Sequence, residues 1–211
     1  MYIGEDTLSV RIADPARRAA VVAALRKDDF WTELVPGLAD VTVRFDPAVI
    51  ALRLAVDAFA NAVAAPACTE QADMSAIVLP ALFDADNAPD AALVADSIGI
   101  APDALPEWIT ARSYRVAMMG FQPGFAYLED TGEDDLPDIS RLAIPRQNVA
   151  AGSIGMLGRR ACIYALGGPG GWPIVGRVTR PVFEPLNSAQ PFVLHSSMSV
   201  KFTAHMRANN D

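Results

Sequence analysis

Polar and apolar residues alternate along two short segments in the first quarter of the chain, Thr7–Ile12 and Asp40–Phe45. A period of two puts the apolar side chains on one face, which is typical of a half-buried strand. Each segment is followed by an Asp-Pro pair, Asp14-Pro15 and Asp46-Pro47. Because Asp caps helix N-termini and Pro is tolerated at the first helical position, each pair predicts a helix start.

Apolar residues then recur at helical spacing after both pairs. The first set lies within Ala16–Lys27 and the second set is Val49, Leu52, Val56, Phe59 and Val63. Strand, helix, strand and helix in succession predict a small α/β domain. The polar, irregular segment Pro66–Ser75 marks its end, so we predict an α/β domain over residues 1–75 and a second domain over residues 76–211.

The second domain begins with a predicted strand at Ala76–Leu79 and two short helices, Asp90–Ile98, ended by Gly99, and Pro102–Thr110. Short apolar runs between Gly and Pro residues follow: Tyr114–Met118, Ala161–Leu166, Ile174–Val178, Phe192–Leu194 and Ser199–Phe202. Evenly spaced short strands with such corners are typical of a closed or nearly closed β-barrel. The predicted fold class is therefore α+β.

A Pro-Gly pair set among aromatic residues ends the first of these runs. Pro fixes φ and Gly permits positive φ, so Pro123-Gly124 predicts a tight turn that presents its aromatic neighbours, Phe121, Phe125 and Tyr127. Two interpretations stay open from spacing alone. The turn is either a hairpin corner filled by aromatic side chains or a surface that binds a ligand or partner.

Glycine is also dense around Gly152-Ser153 and Gly170-Gly171, where a backbone can approach a ligand closely. Arg146 and Arg177 flank these segments; they are either contacts for a carboxylate or phosphate or ordinary surface cations. No nucleotide-binding fingerprint of the usual kind is present. Trp172 is interpreted as a plug of the barrel interior, with a stacking platform as the alternative.

Charge and composition exclude several partners. The net charge is −8 with 17 basic residues, which gives no clustered positive surface for nucleic acid or anionic lipid. The N-terminal residues lack the basic and apolar regions of a signal peptide, and the most apolar window, Pro47–Cys68, contains Arg53 and Asp57. We therefore expect a soluble, cytoplasmic protein.

Candidate nucleophiles and metal ligands are sparse. Cys68 and Cys162 are far apart and are interpreted as reduced packing residues, and His195 and His205 alone form no recognisable metal site. The acidic loop Asp84–Asp90 is interpreted as a solvated surface. We expect neither a metal site nor a self-contained Ser-His-Asp or Cys-His hydrolase.

Three separated motifs resemble one family. Gly120-Phe121-x-Pro-Gly-Phe-x-Tyr-Leu, Ala151-Gly152-Ser153-Ile154-Gly155 and Pro169-Gly170-Gly171-Trp172-x-Ile-x-Gly-Arg, with Pro145-Arg146 between the first two, are similar to the B-type subunit of 5-oxoprolinase, also called allophanate hydrolase subunit 1. The same family contains the sporulation-kinase inhibitor KipI. The resemblance spans nearly the whole chain.

That resemblance implies a small α/β domain followed by a cyclophilin-like β-barrel. It also implies a C-type partner, of the allophanate hydrolase subunit 2 type, and a further A-type partner, with which the complex opens 5-oxo-L-proline to glutamate using ATP. Two alternatives remain: a carboxyltransferase component of urea or amide metabolism, and a non-enzymatic inhibitor of a histidine kinase. The expected ligand is accordingly a small amide, with ATP as co-substrate of the complex.

The chain departs from the family pattern in one informative loop. Arg160-Ala161-Cys162 stands where relatives read Gln-Thr-Gly, which adds a charge and removes a hydroxyl and a permissive backbone position. The expected substrate-binding or partner-binding residues are Phe121, Pro123, Gly124, Phe125, Tyr127, Arg146, Gly152, Ser153, Arg160, Gly170, Gly171, Trp172 and Arg177. No individual catalytic residue is assigned.

Overall fold

The structure is a computed structural model that describes residues 2–65, 76–132 and 139–205. The chain divides into two units, Met1–Ala72 and Asp73–Asp211. The expected boundary at Pro66–Ser75 lies outside the described residues, as does Cys68, so the exact domain limits stay a prediction. No helix in the described ranges is long and apolar enough to cross a membrane.

The N-terminal unit pairs one antiparallel sheet with two helices. Its elements are β1 (Tyr2–Ile3), β2 (Thr7–Arg11), α1 (Pro15–Leu25), β3 (Trp31–Pro36), β4 (Asp40–Phe45) and α2 (Leu52–Ala64). The strand order is β1-β2-β4-β3. Alternate residues of β2 and β4 meet the apolar sides of both helices in one core, which contains Leu8, Val21, Leu25, Val41, Val43, Phe45, Ala55 and Phe59.

The two Asp-Pro pairs behave differently. Asp14 caps α1 as predicted, because its carboxylate accepts hydrogen bonds from the backbone N–H groups of Ala16 and Arg17. The prediction of a helix start at Asp46-Pro47 is wrong. The Asp46 carboxylate accepts from Ala48 N at 2.9 Å and forms a local turn, which competes with helix, and α2 begins only at Leu52.

This late start also corrects the predicted apolar face of α2. Val49 is 72% exposed and Leu52 is 42% exposed, so neither contributes to the core, whereas Phe59 is fully buried. The pattern did not predict β3. Its partly buried residues, Trp31, Leu34 and Pro36, do not alternate strictly, and none of its residues is fully buried. β3 is an edge strand of the sheet. Pro36 at its end is compatible with that position, because an edge strand pairs on one side only and Pro has no backbone N–H to donate.

The C-terminal unit is a seven-stranded barrel with helices and a small ribbon. Its elements are β5 (Ile77–Leu82), α3 (Ala91–Ile98), a 3-10 turn (Pro102–Ala104), α4 (Leu105–Thr110), β6 (Tyr114–Met119), β7 (Ala126–Asp130), β8 (Arg146–Val149), β9 (Ser153–Leu157), β10 (Arg160–Ile163), β11 (Gly168–Gly170), β12 (Ile174–Val178) and β13 (Ser199–Ala204). The barrel order is β10-β7-β6-β13-β5-β12-β9, and β8 pairs with β11 separately. The predicted α+β class with a β-barrel is confirmed.

Three details of the predicted barrel differ from the structure. A bulge after Val116 interrupts the alternation of β6 before Met118. The strand predicted at Ala161–Leu166 ends at Ile163. Phe192–Leu194 is not a strand, because Phe192 makes only an isolated bridge to Phe183, with which its ring stacks at 5.2 Å.

The strand β13 closes the barrel. It pairs in parallel with β5, where Val200 lies opposite Ile77, and antiparallel with β6, where Val200 lies opposite Tyr114. Strands β5 and β6 are therefore joined through β13 and not to each other. The main core of the unit fills around these strands and includes Leu79, Tyr114, Val116, Leu128, Ile154, Met156 and Phe202.

Candidate functional site

A second apolar cluster lies on the face of the barrel wall that points away from the main core. Along β10, Ala161 and Ile163 belong to the main core, while Cys162 and the following Tyr164 belong to this second cluster. Alternate residues of a strand point to opposite faces, so the second cluster is on the outside of the wall. We call it the outer cluster; its members are Phe125, Val149, Cys162, Tyr164, Trp172 and Ile174, with Tyr127 and Leu157 packed against it.

Trp172 is part of this outer cluster and does not plug the barrel interior. A Cβ on Gly155 would lie 3.0 Å from the Trp172 Cβ and 2.9 Å from the Cys162 Sγ. Gly155 follows Ile154, a residue of the main core, so the indole packs on the outer face of β9. The interpretation of Trp172 as an interior plug is therefore wrong.

The turn between β6 and β7 covers one end of the outer cluster. Gly120 N donates to Phe125 O at 3.2 Å and Phe125 N donates to Gln122 O at 3.0 Å, which forms the tight turn that Pro123-Gly124 predicts. Gly124 has φ +76°, and a Cβ there would lie 2.6 Å from the Phe183 Cβ. Glycine at this position is therefore required both by conformation and by space.

Phe121 is the exposed aromatic residue of the turn, and Pro123 is exposed beside it. Phe121 has φ +70°, a region that costs a bulky residue free energy, and it remains 61% exposed. Its ring contacts Phe125 at 5.1 Å between centroids. Phe125 in turn contacts Tyr127 at 4.8 Å and Tyr164 at 5.1 Å, and Tyr127 contacts Trp172 at 5.9 Å. The rings form a continuous path from an exposed phenylalanine into a buried cluster.

The ribbon of β8 and β11 covers the other side of these rings. A Cβ on Gly170 would lie 2.3 Å from the Tyr164 hydroxyl oxygen, so the ring packs directly against the ribbon backbone. Gly171 O accepts a hydrogen bond from Leu142 N at 2.9 Å. Gly170 therefore serves close packing of an aromatic ring, a role that spacing alone did not separate from ligand contact.

Arg146 on the ribbon already has a carboxylate partner. Its Nη1 and Nη2 donate to Asp90 Oδ2 and Oδ1 at 2.7 and 2.8 Å. Asp90 Oδ2 also accepts from Ile174 N at 2.7 Å. Asp90 holds the Arg146 side chain in place, and one-third of that side chain is exposed. Its contact with a ligand stays a prediction.

Gly152, Ser153 and Arg177 lie together beside Tyr164. Gly152 N donates to Tyr164 O, and Tyr164 N donates to Ser153 O at 3.0 Å. Arg177 pairs with Ser153 across the strands, and its Nε donates to Ala151 O at 2.9 Å. Ser153 is buried, whereas Arg177 is exposed. Their predicted roles in binding stay predictions, but the structure brings them next to the outer cluster.

Arg160 lies at the opposite end of β10 from Tyr164. It borders an open cleft of about 470 Å³ that is lined by Glu129, Ser140, Arg141, Leu157, Gly158, Arg159 and Arg160. The structure therefore divides the expected site residues into three groups. The first is the turn with the outer cluster, the second is Gly152, Ser153 and Arg177 beside it, which we call the Gly152–Arg177 group, and the third is Arg160 in the cleft.

The titratable groups of the outer cluster are neutral near pH 7, and burial moves their pKa values further above it. Loss of solvation raises the pKa of Tyr164 to about 12 and also raises the pKa values of Tyr127 and the fully buried Cys162 thiol. A thiol acts as a nucleophile only as the thiolate. The outer cluster is therefore suited to contact and binding, and Cys162 is a packing residue, as predicted.

Sequence reasoning missed Tyr164, which is central to the outer cluster, and Asp90, which holds Arg146. Tyr164 directly follows the strand β10 and is two residues after Cys162. This spacing of two, which puts both side chains on one face, was the signal that could have identified Tyr164. Asp90 was assigned to a solvated loop; this part of the interpretation is wrong, because Asp90 is 8% exposed. Among the described residues, no group of three His, Cys, Asp or Glu side chains is placed to hold a metal ion.

Known proteins are similar to part of this chain in sequence. The chain is 35% identical over 126 residues to the B-type subunit of 5-oxoprolinase from Escherichia coli O157:H7, covering 60% of this chain and 56% of that protein. The corresponding 5-oxoprolinase subunit from Haemophilus influenzae is 34% identical over 126 residues, covering 60% and 58%. The chain thus spans little more than half the length of these relatives.

Solved structures agree with the fold. The conserved uncharacterized protein PH0987 from Pyrococcus horikoshii is 28% identical with a TM-score of 0.57, covering 96% of this chain and 95% of that one. Urea carboxylase from Kluyveromyces lactis is 16% identical with a TM-score of 0.78, covering 96% and 21%, a likeness of fold alone. The family described as "Carboxyltransferase domain, subdomain C and D" matches residues 2–194, and the chain belongs to this family.

Proposed function

We propose that this chain is one component of an ATP-dependent amidohydrolase of the 5-oxoprolinase type, which opens 5-oxo-L-proline to glutamate together with a C-type partner and an A-type partner. The observation that carries the proposal is the 35% identity to the Escherichia coli 5-oxoprolinase B-type subunit. ATP is a co-substrate of the assembled complex in this proposal, and the cytoplasm is its expected location.

The chemistry of the described residues supports a role as one component among several. Cys162 is fully buried with a raised pKa, and the two histidines of the described ranges, His195 and His205, are both exposed. Neither a thiolate nor a histidine-activated nucleophile is therefore assembled there. A ring-opening hydrolysis would need groups from another polypeptide, while this chain supplies binding surface.

Two surfaces of this chain are available for that role. The exposed Phe121 ring continues into the outer cluster through Phe125, and aromatic anchors of this kind often dominate protein contacts. The Gly152–Arg177 group beside it presents an exposed guanidinium, which suits a carboxylate. A partner that covers Phe121 would enclose a small substrate between the two surfaces.

Reconstitution tests the proposal directly. The chain is co-expressed with the C-type and A-type components of 5-oxoprolinase from the same organism, and 5-oxoproline-dependent ATP hydrolysis and glutamate formation are measured for each combination. We expect turnover only when all three are present. The Phe121→Ala variant should weaken assembly, whereas Leu54→Ala, which removes an exposed apolar side chain in the N-terminal unit, serves as the control.

Other outcomes would refute the proposal in distinct ways. Turnover that requires a biotin-bearing partner and bicarbonate would assign the chain to carboxyltransferase chemistry of urea or a related amide. A stable complex with a histidine kinase, without turnover of 5-oxoproline, would assign it to inhibition. Absence of turnover in every combination of correctly folded components would exclude the hydrolase.

A further inference from the structure

The cleft beside Arg160 has the composition of an anion site. Among the described residues that line it are three arginines, Arg141, Arg159 and Arg160, against one carboxylate, Glu129, and Ser140 adds a hydroxyl. Its volume of about 470 Å³ is in the range of small-molecule sites. Arg159 Nη2 already donates to Gly132 O, so Arg141 and Arg160 are the candidates for ligand contact.

The barrel wall places these groups on one face. Arg160 lies opposite Glu129 on β7 and opposite Leu157 on β9. Because these positions are two residues from Tyr127, Cys162 and Gly155 along their strands, they share the outer face. The cleft is therefore continuous with the outer cluster, and a ligand held by the arginines has Tyr127 as its neighbour.

Glu129 lies opposite Arg160 on β10 and opposite Arg115 on β6. One carboxylate therefore stands between two cations on neighbouring strands. The Arg160 Nε is shielded and has no hydrogen-bond acceptor among the described residues. A ligand oxygen that reaches this N–H would supply the acceptor that the protein leaves out.

Arg141 extends the positive charge toward the aromatic rings. Burial raises the pKa values of Tyr127 and Tyr164, and the charge of Arg141 acts in the opposite direction on both. A cation exerts this effect only from nearby. The Arg141 side chain is exposed, so it can contact a ligand that enters the cleft from solvent.

We propose that this cleft binds the oxyanion group of a small ligand, a carboxylate or a phosphoryl group, through Arg160 and Arg141, with the rest of the ligand lying along the outer cluster. Guanidinium groups bind both classes of oxyanion through paired hydrogen bonds. Such binding does not depend on the proposed hydrolase function. It requires only the purified chain.

The test is a titration of the purified chain with L-glutamate, 5-oxo-L-proline, inorganic phosphate and ATP at constant ionic strength. Binding is measured by calorimetry and by NMR of backbone amides and arginine Nε–H groups. We expect saturable binding with shifts confined to the cleft. Tighter binding of the first two ligands would identify a carboxylate site, and tighter binding of the last two a phosphoryl site.

Matched variants separate the cleft from general charge. Arg160→Gln and Arg141→Gln should each weaken binding about tenfold, because each removes a charged hydrogen-bond donor. Arg53→Gln makes the same change in net charge on an exposed residue of the N-terminal unit and should leave affinity within about twofold. Arg141 is exposed, so its variant stays informative if Arg160→Gln does not fold.

Two results would overturn the proposal. One is the absence of saturable shifts at the cleft for all four ligands up to tens of millimolar. The other is equal weakening by Arg53→Gln and by the two cleft variants, which would show a general electrostatic effect. Turnover by the reconstituted complex together with either result would leave the hydrolase function intact and reject this cleft as its oxyanion site.

Discussion

Asp90 holds Arg146 through both oxygens of its carboxylate, at 2.7 and 2.8 Å. The two residues are separated by 56 positions, and the same carboxylate accepts the backbone N–H of Ile174 at 2.7 Å. One side chain thus fastens the ribbon of β8 and β11 to the start of α3 and to β12. The Asp90 side chain is 9% exposed and the Arg146 side chain 33%.

Asp90→Asn should destabilise the protein. It removes the charge that balances a partly buried guanidinium, and breaking a fully buried pair costs several kcal/mol. Because Arg146 is partly solvated, we expect a loss of about 2 kcal/mol in the free energy of unfolding, measured by urea denaturation. The exposed Asp86→Asn should change it by less than about 0.5 kcal/mol. Equal effects would contradict the fastening role of Asp90.

Gly124→Ala should destabilise far more than Gly99→Ala. Both glycines have positive φ, +76° and +72°, but a Cβ at Gly124 meets the Phe183 Cβ at 2.6 Å while nothing lies within 4 Å of one at Gly99. We expect about 1 kcal/mol for Gly99→Ala from backbone conformation alone and about 3 kcal/mol for Gly124→Ala. Thermal unfolding of both variants gives the steric contribution, which is the difference between their losses of stability. Similar losses would mean that the turn relaxes around the methyl group.

Phe125→Ala and Phe121→Gly should separate stability from binding. Phe125 is 3% exposed in the outer cluster, so truncation should cost about 3 kcal/mol or more. Phe121 is exposed at positive φ, and glycine there should leave stability unchanged or raise it by up to about 1 kcal/mol. Denaturation and pull-down of the C-type partner give the two readouts. Full retention of partner binding by Phe121→Gly would remove this ring from the proposed interface.

Tyr164 should make the protein sensitive to alkali. Burial raises its folded pKa to about 12 from an ordinary value of 10.0, so the folded state keeps a proton that the unfolded state has lost between these values. Its contribution to stability is complete below pH 10 and declines as the pH rises toward 12. Tyr164→Phe should therefore show a shallower fall of Tm across this range than the wild type. Identical slopes would show that the phenol ionises freely.

The sequence predicts elements well where the determining contacts are local. Asp14 caps α1 within three residues, and Gly99 ends α3 in the left-handed conformation that glycine favours. Asp46 shows the limit, since the same Asp-Pro pair can cap a helix or form a turn. Both carboxylates accept the backbone N–H two residues on, but arginines follow the first pair, whereas the β-branched Val49 and Ile50, which favour helix less, follow the second.

The candidate site depends on contacts between distant segments. The turn and the glycine-rich ribbon were recognised as special, but no spacing rule shows that Tyr164 packs against Gly170 or that Asp90 reaches Arg146. Those contacts follow from the closure of the barrel, which fixes the face on which each alternate residue lies. The same closure places Trp172 outside the wall, where its sequence neighbours gave no indication of the side.

Because β13 is the last barrel strand along the chain, the barrel cannot close until the other six strands have been synthesised. A nascent chain whose residues 77–178 have emerged from the ribosome contains six of the seven barrel strands, yet β5 and β6 still lack the partner that joins them. Both edges then expose unpaired backbone groups, which are templates for pairing with other nascent chains. The barrel closes only after the next 20 residues and β13 itself emerge, so until then the unfinished barrel is exposed to aggregation or needs a chaperone.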